Sequence, residues 1–257
     1  MIHSFLVATG MAALLAATAA HAVQLAYEPV GLDWSAGEVE SAALANITAI
    51  AQRAEQSQRL GCARHCERLE RIFARLTAEA RQQSGRAQAL PWSLTVVRLP
   101  DVEALAMPGG QVLVSEDFID GRDLSDEATA FVLAHEMAHS ILEHERQALS
   151  FARLLLPRHV SRTVGDMYVE IDFNIALLKS MEPVLQQGEF EADELGFLLA
   201  SAVGYAAERQ LVFLEQECAA PAEPVPLVVT HPPACSRLAQ LRLRLPLARR
   251  LAPAALP

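Results

Sequence analysis

The chain has 257 residues, 52% of them hydrophobic and 5% aromatic, and its formal net charge is −10. This length and apolar content suffice for one sizeable core, or for a core with a helical appendage. Basic residues cluster only near the C-terminus. We therefore expect no nucleic-acid partner, since proteins that bind nucleic acids carry basic patches.

Residues 1–22 have the features of a secretory signal peptide. An apolar stretch over residues 5–20 leads into an Ala-His-Ala cleavage pattern that ends at Ala22. An N-terminal membrane anchor is the alternative, although the apolar stretch is short for a bilayer span. Cleavage would leave a mature chain that starts near Val23, so we predict a periplasmic or otherwise exported protein.

The chain has four cysteines, Cys62, Cys66, Cys218 and Cys235. An even number of cysteines in an exported chain favours two disulfides over zinc ligation. A bond between Cys218 and Cys235 would staple the segment that carries His231. Cys62 and Cys66 lie four apart on a predicted helix, where a bond would be strained, and cross-pairing between the two pairs is the competing arrangement.

Residues 23–90 form a predicted helical segment. Apolar residues recur at helical spacing over 38–60 and 62–83, and Gly61 separates the two stretches. The charged residues here mark a solvated face. Nothing in this segment indicates chemistry.

Residues 91–245 form the predicted functional core, which opens with short strands. Residues 92–99 alternate between apolar and polar, and two apolar runs over 102–107 and 111–115 flank a Pro-Gly-Gly turn. This pattern predicts a hairpin in a small sheet. Its role is either purely structural or that of an exposed edge strand that holds a peptide by main-chain hydrogen bonds.

The next element is a predicted helix over residues 125–150 with an HExxH motif. Two residues four apart lie about 40° from one another around a helix, so His135 and His139 project from one face. Glu136 lies beside them, within reach of a water on a bound metal. In this arrangement the two histidines bind zinc and the glutamate is the general base. A surface helix with two solvated histidines is the alternative.

The residues that follow are predicted to have other roles. On a continuous helix His144 points about 140° away from His139, so we expect it to pack or hydrogen-bond on the far side. Residues 151–187 contain apolar stretches interrupted by proline and glycine. We interpret them as one or two helices that form a lid or a membrane-facing patch, with peripheral membrane contact as an open alternative.

A further helix is predicted to open at Gly188 and to carry Glu189 and Asp193 on one face. A carboxylate from a second helix would complete a three-ligand zinc site, with one position left for water. Glu189 is the predicted third ligand and Glu191 the runner-up. Asp193 is predicted to accept the distal N–H of a zinc-bound histidine, or else to form an ordinary surface ion pair.

The C-terminal part has a Pro-rich stretch, then His231 and a predicted helix over residues 236–243. Residues 246–257 form an Ala- and Pro-rich tail, and arginines lie in and just before it. We interpret this tail as solvated or disordered rather than as a membrane contact.

Taken together, these motifs resemble the zinc metallopeptidases of the HtpX, Oma and type I CAAX prenyl protease group, peptidase family M forty-eight. The likeness covers residues 92–243 and is greatest to small soluble bacterial members of the periplasm and outer membrane. It rests on four segments: His135-Glu136-Met137-Ala138-His139 followed by His144, Glu189 to Asp193, Ala106 to Gly110, and His231-Pro232 with Arg237.

The resemblance implies an α+β, mainly helical fold of the zincin type, with a small sheet or hairpin before the HExxH helix. It implies one Zn²⁺ per chain, held by His135, His139 and Glu189, with Glu136 as the base. It implies that Asp193 and Arg237 lie behind the ligands and support them. It also implies that His231 lies near the metal, where it covers the metal or assists the transition state. Glu103 stands where relatives usually carry Asn, a departure that affects the substrate strand.

The predicted function is zinc-dependent endopeptidase action on protein or peptide substrates, namely unfolded or misassembled cell-envelope proteins. The alternative is a latent, chaperone-like envelope protein in which the His231 segment occludes the metal. A metal-binding structural or stress protein is a third hypothesis. The intact Glu136 argues against both of the non-catalytic hypotheses. The sequence specifies no oligomeric state.

Overall fold

A computed structural model of the chain describes residues 32–157, 159–220 and 226–252. The predicted signal peptide over residues 1–22 lies outside these ranges. The elements of the described residues are, in order, α1 (Ala36–Gln56), α2 (Cys66–Gln83), α3 (Gly85–Ala89), β1 (Ser93–Val97), β2 (Ala104–Met107), β3 (Gln111–Ser115), α4 (Glu116–Gly121), α5 (Asp126–Leu142), α6 (His144–Leu155), α7 (Val164–Phe173), α8 (Ile175–Ala202), α9 (Ala207–Gln210), α10 (Val212–Ala219) and α11 (Ala234–Leu251). The predicted α+β, mainly helical fold with a small sheet is confirmed.

The three strands form one mixed sheet in the order β1-β3-β2. β2 and β3 are the predicted hairpin, paired antiparallel, and β1 runs parallel to β3. Gly109 and Gly110 close the hairpin with φ of +90° and +79°, a backbone conformation that glycine adopts without steric cost. β2 pairs on one side only, so it is an edge strand of the sheet.

The main core lies between α5 and α8. α5 begins after Ser125, whose side chain accepts the amide of Ala128, and acidic residues fill its first turn. Most of its side chains are buried, including Phe131 and Leu133, and Phe197 of α8 packs in the same cluster. The apolar face of α2 and the inner face of the sheet complete this core.

The prediction of a single helix over residues 125–150 is wrong, because the helix is interrupted at Glu143. This residue has left-handed backbone angles, φ 56° and ψ 35°, and it separates α5 from α6. Its amide donates to the carbonyl of His139, while its carboxylate pairs with Arg86 at 3.1 Å and with Arg146 at 2.9 Å. No glycine or proline marks the break in the sequence, and one of the two ion pairs that support it comes from the distant residue Arg86.

The predicted helix start at Gly188 is also wrong. α8 begins at Ile175, after the Asn174 cap, and runs for 28 residues through Pro183. A proline inside a helix removes one backbone hydrogen bond and normally kinks or ends the helix. Here the turns before Pro183 stay helical because Leu177 and Met181 are buried in a second apolar cluster against α6 and α7. Among the described residues of 151–187, the helical ones belong to the rest of α6, to α7 and to the first part of α8.

The predicted helix end at Leu243 is wrong as well. α11 continues through Pro246 to Leu251, and Ala248 is buried. Three arginines of this region form ion pairs with carboxylates at the surface and stay exposed to solvent: Arg242 with Glu215, Arg244 with Glu194, and Arg249 with Glu208. The first part of the predicted tail is thus packed helix.

The cysteines pair as Cys62–Cys66 and Cys218–Cys235, so the alternative of bonds between these two pairs is wrong. Strain was expected for the Cys62–Cys66 bond because both residues were predicted to lie on one helix, and that prediction is wrong. α1 ends at Gln56 and α2 begins only at Cys66, which leaves Cys62 in non-helical chain. Among the described helices, none combines the length and the apolar character that a bilayer span requires.

Candidate metal centre

His135, His139 and Glu189 converge at one point between α5 and α8. One ligand atom from each residue lies within 4.8 Å of the other two. The two histidine Nε2 atoms are 3.1 Å apart, and the Glu189 carboxylate is 3.4 Å from the first and 3.5 Å from the second. The structure thus brings together the three predicted ligands, from two helices, around a space of the size that a metal ion occupies.

His135 has a second contact on the side away from this point. Its Nδ1 lies 3.0 Å from Oδ1 of Asp193, one turn after Glu189 on α8. Arg237 of α11 donates to both oxygens of Asp193, from Nε at 2.7 Å and from its terminal nitrogen at 2.6 Å. This two-pronged contact fixes the carboxylate, and the carboxylate in turn fixes the plane of the His135 ring.

The pKa values of the three candidate ligands are shifted in different directions by burial and by one another. Burial acts to lower the pKa of His135, but the carboxylates of Asp193 and Glu189 outweigh it and raise the pKa to about 10. Burial acts to raise the pKa of Glu189, but His135 outweighs it and lowers that pKa to about 2. Burial and the neighbouring His135 lower the pKa of His139 well below its usual range.

Glu136 lies beside the ligands on the wall of a cleft of about 770 Å³. Burial raises the pKa of its carboxyl to about 7. The backbone of Ala106 in β2 hydrogen-bonds to this carboxyl, and the Ser140 hydroxyl donates to the carbonyl of Met107 at 3.1 Å. The edge strand is therefore held along the metal helix, and residues of both line the cleft together with parts of α1, α6 and α8.

His231 lies at the open side of the same cleft. Its Nε2 is 3.5 Å from Oε1 of Glu189, and 66% of its side chain is exposed. The segment before it, residues 226–230, is fastened to the first half of α8. The three contacts are Lys179 to the carbonyl of Leu227, Gln186 to the carbonyl of Val229, and the amide of Val229 to Glu182.

The donor set fits a zinc ion. Oε2 of Glu189 is buried yet has no hydrogen-bond partner in the described part of the chain, which is costly for a carboxylate oxygen unless a cation satisfies it. The Nε2 atoms of His135 and His139 face each other at 3.1 Å, so one cation could bind both. Two imidazoles and one carboxylate, with one side left open, match the ligand set of catalytic zinc.

Comparison with known proteins gives the family. The model of Peptidase family M48 matches residues 63–245, which include both helices of the centre and Arg237. The chain belongs to this family. Its members are metallopeptidases, so the resemblance to this family noted from the sequence is confirmed, and His135, His139 and Glu189 form a possible metal site within the matched region.

Curated relatives of this Peptidase family M48 member are mitochondrial metalloendopeptidases named OMA1. The one from Schizosaccharomyces pombe is 28% identical over 164 residues, which is 61% of this chain and 48% of the relative. That from Bos taurus is 27% identical over 153 residues, 54% of this chain and 28% of the relative. That from Arabidopsis thaliana is 24% identical over 138 residues, 50% and 26% respectively. The chain matches less than half the length of each.

Sequence reasoning misplaced one residue of this site. His144 was expected on the far side of a continuous helix, and that prediction is wrong because the break at Glu143 turns its ring back toward His139. Its Nδ1 lies 2.9 Å from Nδ1 of His139. Glu191, the runner-up ligand, does not enter the centre and contacts the other nitrogen of His144 at 3.3 Å. The only sequence signal was a third histidine five positions after the motif.

Proposed function

We propose that this member of Peptidase family M48 is a zinc-dependent endopeptidase that hydrolyses peptide bonds in unfolded or misassembled cell-envelope proteins. The observation that carries the proposal is the convergence of His135, His139 and Glu189 with Glu136 in one cleft. One zinc ion per chain would be held by the three ligands. When bound, it would supply a Lewis acid that polarises the scissile carbonyl and lowers the pKa of water.

Glu136 carries out the proton transfers in this proposal. A base is most effective when its pKa lies near the working pH, and the pKa of this carboxyl is about 7. Glu136 takes a proton from the attacking water and later delivers it to the leaving amine nitrogen. For His231, which lies at the open side of the cleft, we propose that it donates a hydrogen bond to the oxygen that becomes negative during attack.

The edge strand β2 supports a preference for extended substrates. One side of the strand pairs with β3, and the other side lies along the cleft beside α5. An extended peptide that added to this edge would make main-chain hydrogen bonds and would pass in front of Glu136. Folded proteins offer few such segments, so unfolded chains are the substrates that this geometry favours. Glu103 precedes the strand and pairs with Arg122 at 3.9 Å, outside the cleft lining.

The location proposed is the periplasm or another exported compartment. Two features support it: the signal-peptide pattern of residues 1–22, and two disulfides that bring all four cysteines into bonds. Disulfides persist in oxidising compartments and are rare in the cytosol.

The decisive experiment compares the exported, purified protein with Glu136→Gln on an unfolded substrate such as casein, with zinc content measured on both. We expect cleavage by the wild type alone and equal zinc in the two proteins. Wild-type protein that binds zinc but leaves casein intact would contradict the endopeptidase proposal. Wild-type protein that binds no zinc would contradict the metal centre itself.

A second candidate is a latent protein whose metal is covered by the His231 segment. The observation in its favour is the fastening of residues 226–230 to α8, which keeps His231 within 3.5 Å of Glu189. His231→Ala separates the two candidates. A higher cleavage rate in this variant supports occlusion, whereas a lower rate supports a role of His231 in the reaction.

A further inference from the structure

His144 makes a contact with each of its two ring nitrogens. Nδ1 lies 2.9 Å from Nδ1 of His139, and Nε2 lies 3.3 Å from Oε2 of Glu191. The other oxygen of Glu191 accepts a hydrogen bond from the side-chain amide of Gln187 at 2.8 Å. The His144 side chain is 9% exposed, so water has little access to compete for these contacts.

The direction of these hydrogen bonds follows from the role of His139. Its Nε2 faces the metal position, so a metal-bound His139 must carry its proton on Nδ1. Nδ1 of His144 then accepts that proton's hydrogen bond. A neutral His144 whose Nδ1 accepts must carry its own proton on Nε2, and the Glu191 carboxylate is the acceptor there.

The backbone around His144 holds the ring in this place. The left-handed turn at Glu143 redirects the chain, so that His144 begins α6 facing the metal helix rather than continuing along it. On the opposite side the ring lies against Gly188 of α8, where a Cβ would already be 3.4 Å from the ring. The ring is thus packed between α8 and His139.

We propose that His144 is the positioning residue of the ligand His139, and that Glu191 in turn holds His144. The arrangement parallels that on the other ligand, where Asp193 contacts His135 and Arg237 holds Asp193. This inference rests on the proposed metal centre and concerns the way the chain holds it. Contacts of this kind fix the tautomer and the ring plane of a metal-binding histidine, and their loss typically weakens metal binding about 10–100-fold.

The test measures zinc affinity by competition with a chromogenic chelator, a readout that needs no cleavage activity. His144→Phe keeps an aromatic ring against Gly188 but removes the acceptor, and we expect zinc binding about 10–100-fold weaker. His144→Asn offers its Oδ1 near the place of Nδ1, so it is expected to recover much of that loss. Glu191→Leu is expected to weaken zinc binding less than His144→Phe does, because it acts through one more residue.

A spectroscopic readout separates positioning from general packing. In the zinc-loaded wild type, long-range ¹H–¹⁵N spectra should show His139 protonated on Nδ1. In His144→Phe the Nδ1 proton should lose the downfield shift of a hydrogen-bonded imidazole and exchange faster with water. A purely structural role for His144 would change the unfolding temperature and leave the His139 signals in place.

The possible results distinguish failure of the inference from failure of the proposed function. If the wild type binds no zinc, the metal centre and with it the proposed function are wrong. If the wild type binds zinc and folded His144→Phe binds it equally well, the proposed function stands and the positioning role is wrong. Should His144→Phe not fold, Glu191→Leu decides, since this side chain is half-exposed, and unchanged affinity in that variant overturns the proposal.

Discussion

Gly196 of α8 lies directly against the backbone of His135 in α5. A Cβ at position 196 would be 2.6 Å from the nitrogen and 2.8 Å from the Cα of His135, closer than real side chains approach a backbone. The missing side chain lets the two helices touch at the level of the metal centre. Because Glu189 lies two turns earlier on the same helix, this close approach sets the distance between the carboxylate and the two histidines.

Gly196→Ala should therefore damage both stability and metal binding. The added methyl group has to push α8 away from α5, and overpacking of this kind costs about 1–3 kcal/mol. We expect a lower midpoint in urea denaturation together with weaker zinc binding. Gly37→Ala is the matched control, since that helical glycine has nothing within 4 Å of an added Cβ and alanine there should be neutral or stabilising. Unchanged zinc affinity in folded Gly196→Ala would refute the link between helix contact and ligand geometry.

Arg237→Lys tests the support of His135. Lysine keeps the positive charge but cannot donate to both oxygens of Asp193, so the carboxylate should lose its fixed orientation. We expect zinc binding to weaken by about tenfold or more while the protein stays folded. Arg242→Lys is the control, because its ion pair with Glu215 lies on the surface and involves none of the candidate ligands. Equal zinc affinity in the two variants would contradict this role.

Metal removal should affect the fold as well as the proposed activity. Three candidate ligands face one another, two of them buried and one half-buried, so a bound cation stabilises the native state by an amount that grows with its concentration above the dissociation constant. We expect a chelator to lower the unfolding temperature and zinc to restore it. Glu136→Gln should show the same zinc-dependent shift without cleavage, because its ligands are intact. His135→Ala should lose most of the shift.

Glu116 provides a prediction about pH and stability away from the metal centre. Burial acts to raise its pKa, but hydrogen bonds from the backbone amides of His65, Arg64 and Ala63 outweigh it, so the folded-state pKa is lowered. A lowered pKa stabilises the fold at pH values above the ordinary pKa of about 4.3, and this stabilisation is lost as the pH falls through the folded-state pKa.

The measurement is the unfolding free energy of the wild type and Glu116→Gln between pH 7 and pH 3. We expect the variant to be less stable at pH 7, and the difference between the two proteins to shrink as the pH falls below about 4. Asp117→Asn serves as the control, since its partly exposed ion pair with Arg59 at 3.5 Å should contribute little to stability. A constant difference across the pH range would show that the lost contact is steric rather than electrostatic.

The relative positions of residues close together in the sequence could be predicted, because they follow from local backbone geometry. Two histidines four apart share a face on any α-helix, so the pair His135 and His139 needed no tertiary information. The Pro-Gly-Gly turn between two apolar runs likewise predicted the hairpin, since glycine is the residue that accepts positive φ. Glu189 and Asp193 could be assigned to the same site as the two histidines. The reason is that two histidines and one carboxylate form a known zinc ligand set.

The relations between helices were decided only in the tertiary structure. The break at Glu143 is supported by an ion pair with Arg86, which lies far away in the chain, and the turn at this break brings His144 back to His139. The passage of α8 through Pro183 depends on burial against α6 and α7, which outweighs one lost hydrogen bond. Spacing along one helix follows from backbone geometry, whereas the ends and contacts of helices follow from packing between distant segments. For this reason the sequence by itself determined which residues are the candidate ligands, and the tertiary structure decided how their side chains are held.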